Sequence, residues 1–365
     1  MAIASGSAEV AAFDGCVAQV TAPQLRLVPR SAAPSVPYDT VVRVGIDENG
    51  LGPRLGPLIV TAIAARTRGK GERVVHTSPS AALSARIDDS KKLVSFSDSV
   101  LGEAWARAVS RASASSDASR GRESSPDALI HALSIDPRST LQRPCPSDHR
   151  EQCWGTEGEA FESEELQVAR LSKDLDGLRK RGVDVLGAHV AIVCTERLNE
   201  GAARGVSRFQ ADLFAMERLI LSARERYDAE LDVTCGKVGG YNSYPAAFGP
   251  LGGRLYSTVE EGRARSAYRI AGLGQVAFVR DADAGHLLVA LASLIGKWVR
   301  DFLTRRVTRY HRAHDPSLPE ASGYHDPVTT RFVAASALKR KERGVPDVCF
   351  ERGSVNREGN REALR

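Results

Sequence analysis

Two adjacent acids, Asp47 and Glu48, close an apolar run in the stretch VGIDENGLGP. Two more, Asp232 in AELDVTC and Asp283 in VRDADAG, lie within or just beyond other apolar runs. Carboxylates are expensive to bury unless a cation compensates them. Three or four that converge repel one another, and a hard divalent cation such as Mg²⁺ relieves the repulsion. Mg²⁺ held by a few carboxylates, with waters and phosphate oxygens completing its shell, is a recurrent arrangement for cutting phosphodiesters. The plainer reading is turn chemistry, since an Asp beside a Gly-rich turn commonly bonds its own backbone. Taken singly, Asp232 and Asp283 suit that reading. The adjacent pair at a strand end is the less ordinary feature.

For these acids to meet, the ends of several elements must converge. VVRVGID sets Val42, Val44 and Ile46 on one side of a strand, and LIVTAIAA (58–65) reads as a second strand. The Gly/Pro-rich ENGLGPRLGP between them predicts a hairpin whose tip carries the acidic pair. FQADLFAMERLI spaces Phe209, Leu213, Met216 and Ile220 as an amphipathic helix. AELDVTC predicts a strand with Leu231 and Val233 on one side and Asp232 on the other. QVAFVRD predicts another strand, and a long helix follows from about His286 to Tyr310. Strands first, then strand and helix in alternation, argue for the α/β class.

The chain has 365 residues, 42% of them hydrophobic, enough for one large domain or two smaller ones with a sizeable core. Its formal net charge of +5 is compatible with a nucleic-acid partner without requiring one. Six scattered cysteines, with no CxxC pair and no secretion signal, predict a reduced, cytoplasmic protein. No apolar run approaches the ~20 residues that span a bilayer, so no membrane partner is expected. No protein partner can be inferred. Residues 1–40 are expected to be a weakly structured extension. The polar, Ser-rich stretch 110–166 reads as a flexible insert with a short helix at DALIHAL, and 336–365 as a loosely held polar tail. Cys145, His149 and Cys153 stand at four-residue spacing as zinc donors, but a structural site takes four ligands and no fourth is evident.

Five stretches, in order, resemble the type 2 ribonuclease H family (ribonucleases HII and HIII). VGIDENGLGPRLGPLIVTAI is similar to the family's opening, where a strand ends in Asp-Glu-x-Gly and a Gly-rich turn leads to a second strand. DDSKKL (88–93), the stretch from Cys194 to Ile220, LASLIGKWVRD (291–301) and SGYHDPVTTRF (322–332) resemble its later segments. The resemblance covers roughly residues 41–335, less the insert. It implies an RNase H-like fold and hydrolysis of the RNA strand of an RNA–DNA hybrid by divalent-metal-assisted attack of water. The ends left would be a 5′-phosphate and a 3′-hydroxyl, with Mg²⁺ or Mn²⁺ as cofactor. Asp47, Glu48, Asp232 and Asp283 match the four metal-site carboxylates, with Asp281 the rival for the last.

Substrate contacts follow from the resemblance and from chemistry together. A hybrid is told from DNA by its 2′-hydroxyls, read in a wide minor groove. The backbone of Gly50, Leu51 and Gly52 is placed to approach a ribose, because glycine has no Cβ to intervene. Lys91, Lys92 and Lys297, with Arg300 one turn on, are candidates for phosphate contacts, the plainer reading for Lys297 and Arg300 being a solvated helix face. Tyr324 resembles the Tyr that packs on a ribose, with a buried core Tyr as the alternative. The family's turn reads Gly-Arg-Gly, and here Leu51 replaces the arginine that helps recognise a single ribonucleotide in DNA; Arg54 is the candidate substitute. Two alternatives remain: a non-catalytic hybrid-binding protein on the same fold, and a metal-dependent nuclease for another nucleic acid.

Overall fold

The computed structural model describes residues 41–353, save 89, 97, 115–122 and 240. The expected N-terminal extension, 1–40, lies outside the described residues. Among the described residues seven strands form one mixed sheet: β1 (Val42–Asn49), β2 (Leu58–Thr67), β3 (Val183–Val193), β4 (Leu231–Gly236), β5 (Tyr256–Glu261), β6 (Arg265–Ile270) and β7 (Gly274–Val279). Their order across the sheet is β3-β2-β1-β4-β7-β6-β5. The pairs β1–β4 and β4–β7 are parallel and the others antiparallel. Helices cover both faces, so the α/β class with a mixed sheet flanked by helices is the observed one. No helix among the described residues is long and apolar enough to cross a membrane.

Alternation along β1 fixes what each face holds. Val42, Val44 and Ile46 turn toward the Arg208–Tyr227 helix and pack with Leu213, Met216 and Ile220. That helix is closed at its start by a capping box in which Ser207 and Gln210 bond each other's backbone. The opposite face carries the Leu287–His314 helix, whose residues 287–296 are all buried. It lies close because glycines leave room. A Cβ on Gly45 would stand 2.5 Å from the backbone at Leu288, and one on Gly296 would stand 2.2 Å from the Asn49 Oδ1. The helix therefore runs along β1 in contact and passes the acidic pair at Ser293.

Two expectations are corrected. The stretch 110–166 is largely built into the fold. The DALIHAL helix is present as Pro126–Leu133, and its Leu129, Ile130 and Leu133 are buried with Leu141 and Trp154. Buried Arg306 bonds Asp127 at 2.9 Å and Glu159 at 2.6 Å, tying the insert to the long helix. Polar composition concealed these contacts because their partners lie far off in sequence. The stretch after Lys339 is likewise docked as far as Gly353, with Val345, Phe350 and Arg352 buried. Phe350 stacks on Phe332, with ring centroids 6.0 Å apart.

Candidate metal and nucleic-acid site

The acidic pair sits where the parallel strands end. β1 and β4 are in register from Val42↔Leu231 to Ile46↔Cys235, which sets Gly236 beside Asp47. A Cβ on Gly236 would meet Asp47 Oδ1 at 3.2 Å and Glu48 Oε2 at 3.6 Å. The two carboxylates thus converge on the space that this glycine leaves open. In sheets of this kind, ligands bind outside the carboxyl ends of the parallel strands.

Asp47 is buried, and burial is the main force holding its carboxyl well above the usual range. The Glu48 and Asp283 charges push the same way, against hydrogen bonds from the Ser293 side chain and the Glu48 backbone. Asp283 lies in the Ala282–Gly285 turn after β7, so the end of a third parallel strand brings it within electrostatic reach. Asp281 is exposed, has φ +53°, and lies 3.6 Å from the Arg280 guanidinium.

Asp232 does not join them. It stands opposite Arg43, four residues back along β1 from Asp47, a separation of about 13 Å along a strand. Its carboxylate is bonded by Arg43 and lies 3.9 Å from His76. The sequence shows which side of β4 this Asp occupies, but the parallel register decides which end, and it is the far one.

The donor chemistry fits a small hard cation. Mg²⁺ is commonly held through one or two carboxylates, with water and phosphate oxygens completing its shell. Asp47 and Glu48 supply such a pair. Among the described residues no three His, Cys, Asp or Glu side chains are grouped to hold an ion by themselves. The same holds for Cys145, His149 and Cys153, so the zinc reading finds no cluster there.

Several of the expected substrate residues do gather beside the pair. Gly50 has φ +93°, a left-handed turn conformation that glycine adopts without strain, and it abuts Arg300. Leu51 is half-buried and Gly52 exposed. The amides of Arg54 and Leu55 donate to the Gly323 carbonyl at 2.7 and 3.0 Å, joining this turn to the Tyr324 loop. Tyr324 is 42% exposed, so the buried-core alternative fails, and its ring lies under the Arg300 guanidinium at 4.3 Å. Arg300 itself is buried and bonds Asp301 at 2.6 Å and the Ser322 carbonyl at 2.9 Å, so it is no solvated helix face. Lys297 lies 3.7 Å from Asp301. Arg54 is ion-paired with Glu351. Lys92 is exposed and paired with Asp88 at 3.2 Å, on the Ser90–Leu93 turn that touches the long helix. The Lys91 side chain lies outside the described residues.

Three residues that sequence reasoning passed over complete the surroundings. Gly236 makes the opening, and Ser293 bonds Asp47. Arg352 is buried and donates to the Gly56 carbonyl at 2.9 and 2.6 Å and also to the Gly50 carbonyl, so a residue near the chain's end holds the turn after the acidic pair.

No family model matches the chain, and no curated protein matches its sequence. Solved structures do resemble it. Bst-RNase HIII in complex with Mn²⁺ gives a TM-score of 0.43 at 14% identity, over 90% of this chain and 70% of that one. RNase H3 from Aquifex aeolicus gives 0.36 at 16% identity, over 84% and 70%. RNase HII from Archaeoglobus fulgidus, in a complex with PCNA, gives 0.35 at 16%, over 87% and 100%. All three TM-scores fall below 0.5, so the likeness carries no argument about activity or substrate.

Proposed function

We propose that the chain is a divalent-metal-dependent endonuclease that hydrolyses the RNA strand of RNA–DNA hybrids, leaving 5′-phosphate and 3′-hydroxyl ends. The observation that carries this reading is the convergence of Asp47 and Glu48 on the space beside Gly236, at the carboxyl ends of the parallel strands. A Mg²⁺ or Mn²⁺ ion bound there would supply an activated water and charge stabilisation for the departing oxygen. Asp47 and Glu48 would hold it, with Asp283 adding negative charge, and Ser293 orients the Asp47 carboxylate. The Gly50–Gly52 turn and the exposed Tyr324 ring offer backbone and an aromatic face to a ribose. Lys92 and Lys297 are the lysines offered for phosphates, Lys297 at the expense of its contact with Asp301. Arg54 is the candidate for a ribonucleotide junction, a role with which its ion pair to Glu351 competes.

One observation favours a second reading. With Asp232 bound to Arg43, the four-carboxylate set is incomplete, as in a protein that binds hybrids without cutting them. Incubation of labelled RNA–DNA hybrid with Mg²⁺, Mn²⁺ or chelator separates the two. Metal-dependent cutting of the RNA strand, lost in Asp47→Asn, supports the enzyme. Retention of the hybrid without cutting supports the binder. Equal cutting of duplex DNA or duplex RNA points to a nuclease of other specificity.

A further inference from the structure

The helix on the far side of the sheet from Ser293 carries a buried acid, Asp212. Asp212 lies in the first turns of the Arg208–Tyr227 helix, between Phe209 and Met216 on the face that packs against β1, β2 and β4. It is 0% exposed, and neither of its carboxylate oxygens has a hydrogen-bond partner. The neighbouring charge that acts on it is Asp47's, also negative. Cys235, the residue before Gly236, is buried within electrostatic reach of both Asp212 and Asp47. Phe209, one turn before Asp212, packs where a Cβ on Gly239 would stand, 2.7 Å away and three residues beyond Gly236, so Asp212 sits at the same end of β4 as the opening, on the opposite face.

A buried carboxylate without donors is costly, and a second carboxylate close by raises the cost. Native proteins rarely leave such a group without a purpose. A cation at the opening would offset both charges at once. Because no three His, Cys, Asp or Glu side chains among the described residues are grouped to ligate one ion directly, a third acid would act through water, and Mg²⁺ characteristically keeps several waters. We propose that Asp212 is the third carboxylate of the cation site, acting through the water shell of an ion held by Asp47 and Glu48. The charge sought from β4 at Asp232 then comes from the neighbouring helix instead.

This inference rests on the metal-dependent reading, and binding measurements separate the two. Mn²⁺ alone is titrated into the full chain by calorimetry and by electron paramagnetic resonance of free Mn²⁺, for wild type, Asp47→Asn, Asp212→Asn and Asp212→Ser. Metal-free urea unfolding is measured beside them. The expected result is Mn²⁺ binding by wild type, its loss in Asp47→Asn, and affinity about tenfold weaker in both Asp212 variants. Metal-free Asp212→Asn should also unfold at higher urea than wild type near neutral pH, because an acid that must take up a proton to be buried is gone. Wild-type affinity in the Asp212 variants, with loss only in Asp47→Asn, overturns the inference and leaves the metal site standing. Absence of Mn²⁺ binding by wild type overturns both. Failure of both Asp212 variants to fold makes this acid part of the core and overturns the inference alone.

Discussion

Gly236, the last residue of β4, stands next in register to Asp47 of β1, and a Cβ there would lie 3.2 Å from the Asp47 Oδ1. The opening is made by a missing side chain. Nothing but the two acidic side chains crowds that Cβ position. Gly236→Ala should therefore fold, with a stability change within about 1 kcal/mol, and displace Asp47 by a few tenths of an ångström while leaving Glu48 in ordinary contact. The expected outcome is several-fold weaker Mn²⁺ binding and slower hybrid cutting at an unchanged urea midpoint. Gly236→Val should remove both activities, and calorimetry with a cleavage assay checks the series.

Asp47→Asn and Asp232→Asn should behave in opposite ways, although the family resemblance implies one role for both. Asp47→Asn is expected to abolish cutting while leaving the fold intact, because it relieves a carboxylate that burial and its neighbours disfavour. Asp232→Asn should cut at the wild-type rate and lose stability, of order 1 kcal/mol, by weakening the bond to nearly buried Arg43. Glu72 lies 2.9 Å from Arg43 and limits that loss. Loss of cutting in Asp232→Asn without loss of folding would return it to the site.

What was legible in the sequence was local. Alternation in VVRVGID, the Gly-rich connection and LIVTAIAA gave the β1–β2 hairpin with the pair near its tip, as observed. The spacing of Phe209, Leu213, Met216 and Ile220 gave the helix, and it also held an unread signal, since Asp212 falls on the same stripe. What was not legible depended on partners distant in the chain. The register of β4 against β1 decides the place of Asp232, and no window of sequence contains both strands. Arg306 reaches its partners in the insert across 147 and 179 residues, and Arg352 reaches Gly56 across 296. Polar composition at 110–166 and beyond 339 therefore reads as loose chain until those arginines are placed.

Glu217 should make stability pH-dependent. Burial raises its carboxyl to about 7, against hydrogen bonds from the amides of Gly249 and Leu251. The unfolded chain titrates this group near 4.3. Between those values the native state holds more protons than the unfolded state, so stability falls as pH rises from about 4.5 and levels off above about 7. The expected loss is on the order of 3–4 kcal/mol. Both amides donate to Oε2, at 3.0 and 2.7 Å, so a glutamine can keep both bonds through its one carbonyl. Glu217→Gln should flatten the profile between pH 5 and 7, read by urea unfolding at matched ionic strength. An unchanged slope would assign the pH dependence to other groups.

Arg352 offers the last test, because it ties the end of the described chain to the turn beside the acids. Its guanidinium serves the Gly50 and Gly56 carbonyls from a buried position, and burial lowers it to about 9. Arg352→Lys keeps a charge but loses the planar fork that reaches both carbonyls together. The Gly56 carbonyl also accepts from the Thr195 hydroxyl at 3.3 Å, so the loss falls mainly on Gly50, and a buried carbonyl left without a donor costs about 1–3 kcal/mol. Arg352→Met should cost at least that, and truncation after Val345 should cost more, because it also removes Phe350 from its contact with Phe332. In Arg352→Lys the turn is loosened while Asp47 and Glu48 stay on β1. Mn²⁺ affinity should therefore hold within about threefold, a change under 1 kcal/mol. The KM for hybrid should rise, since the Gly50–Gly52 backbone is the part displaced. A rise in KM with unchanged Mn²⁺ binding supports this division of labour, and parallel loss of both would place Arg352 in support of the acidic pair itself.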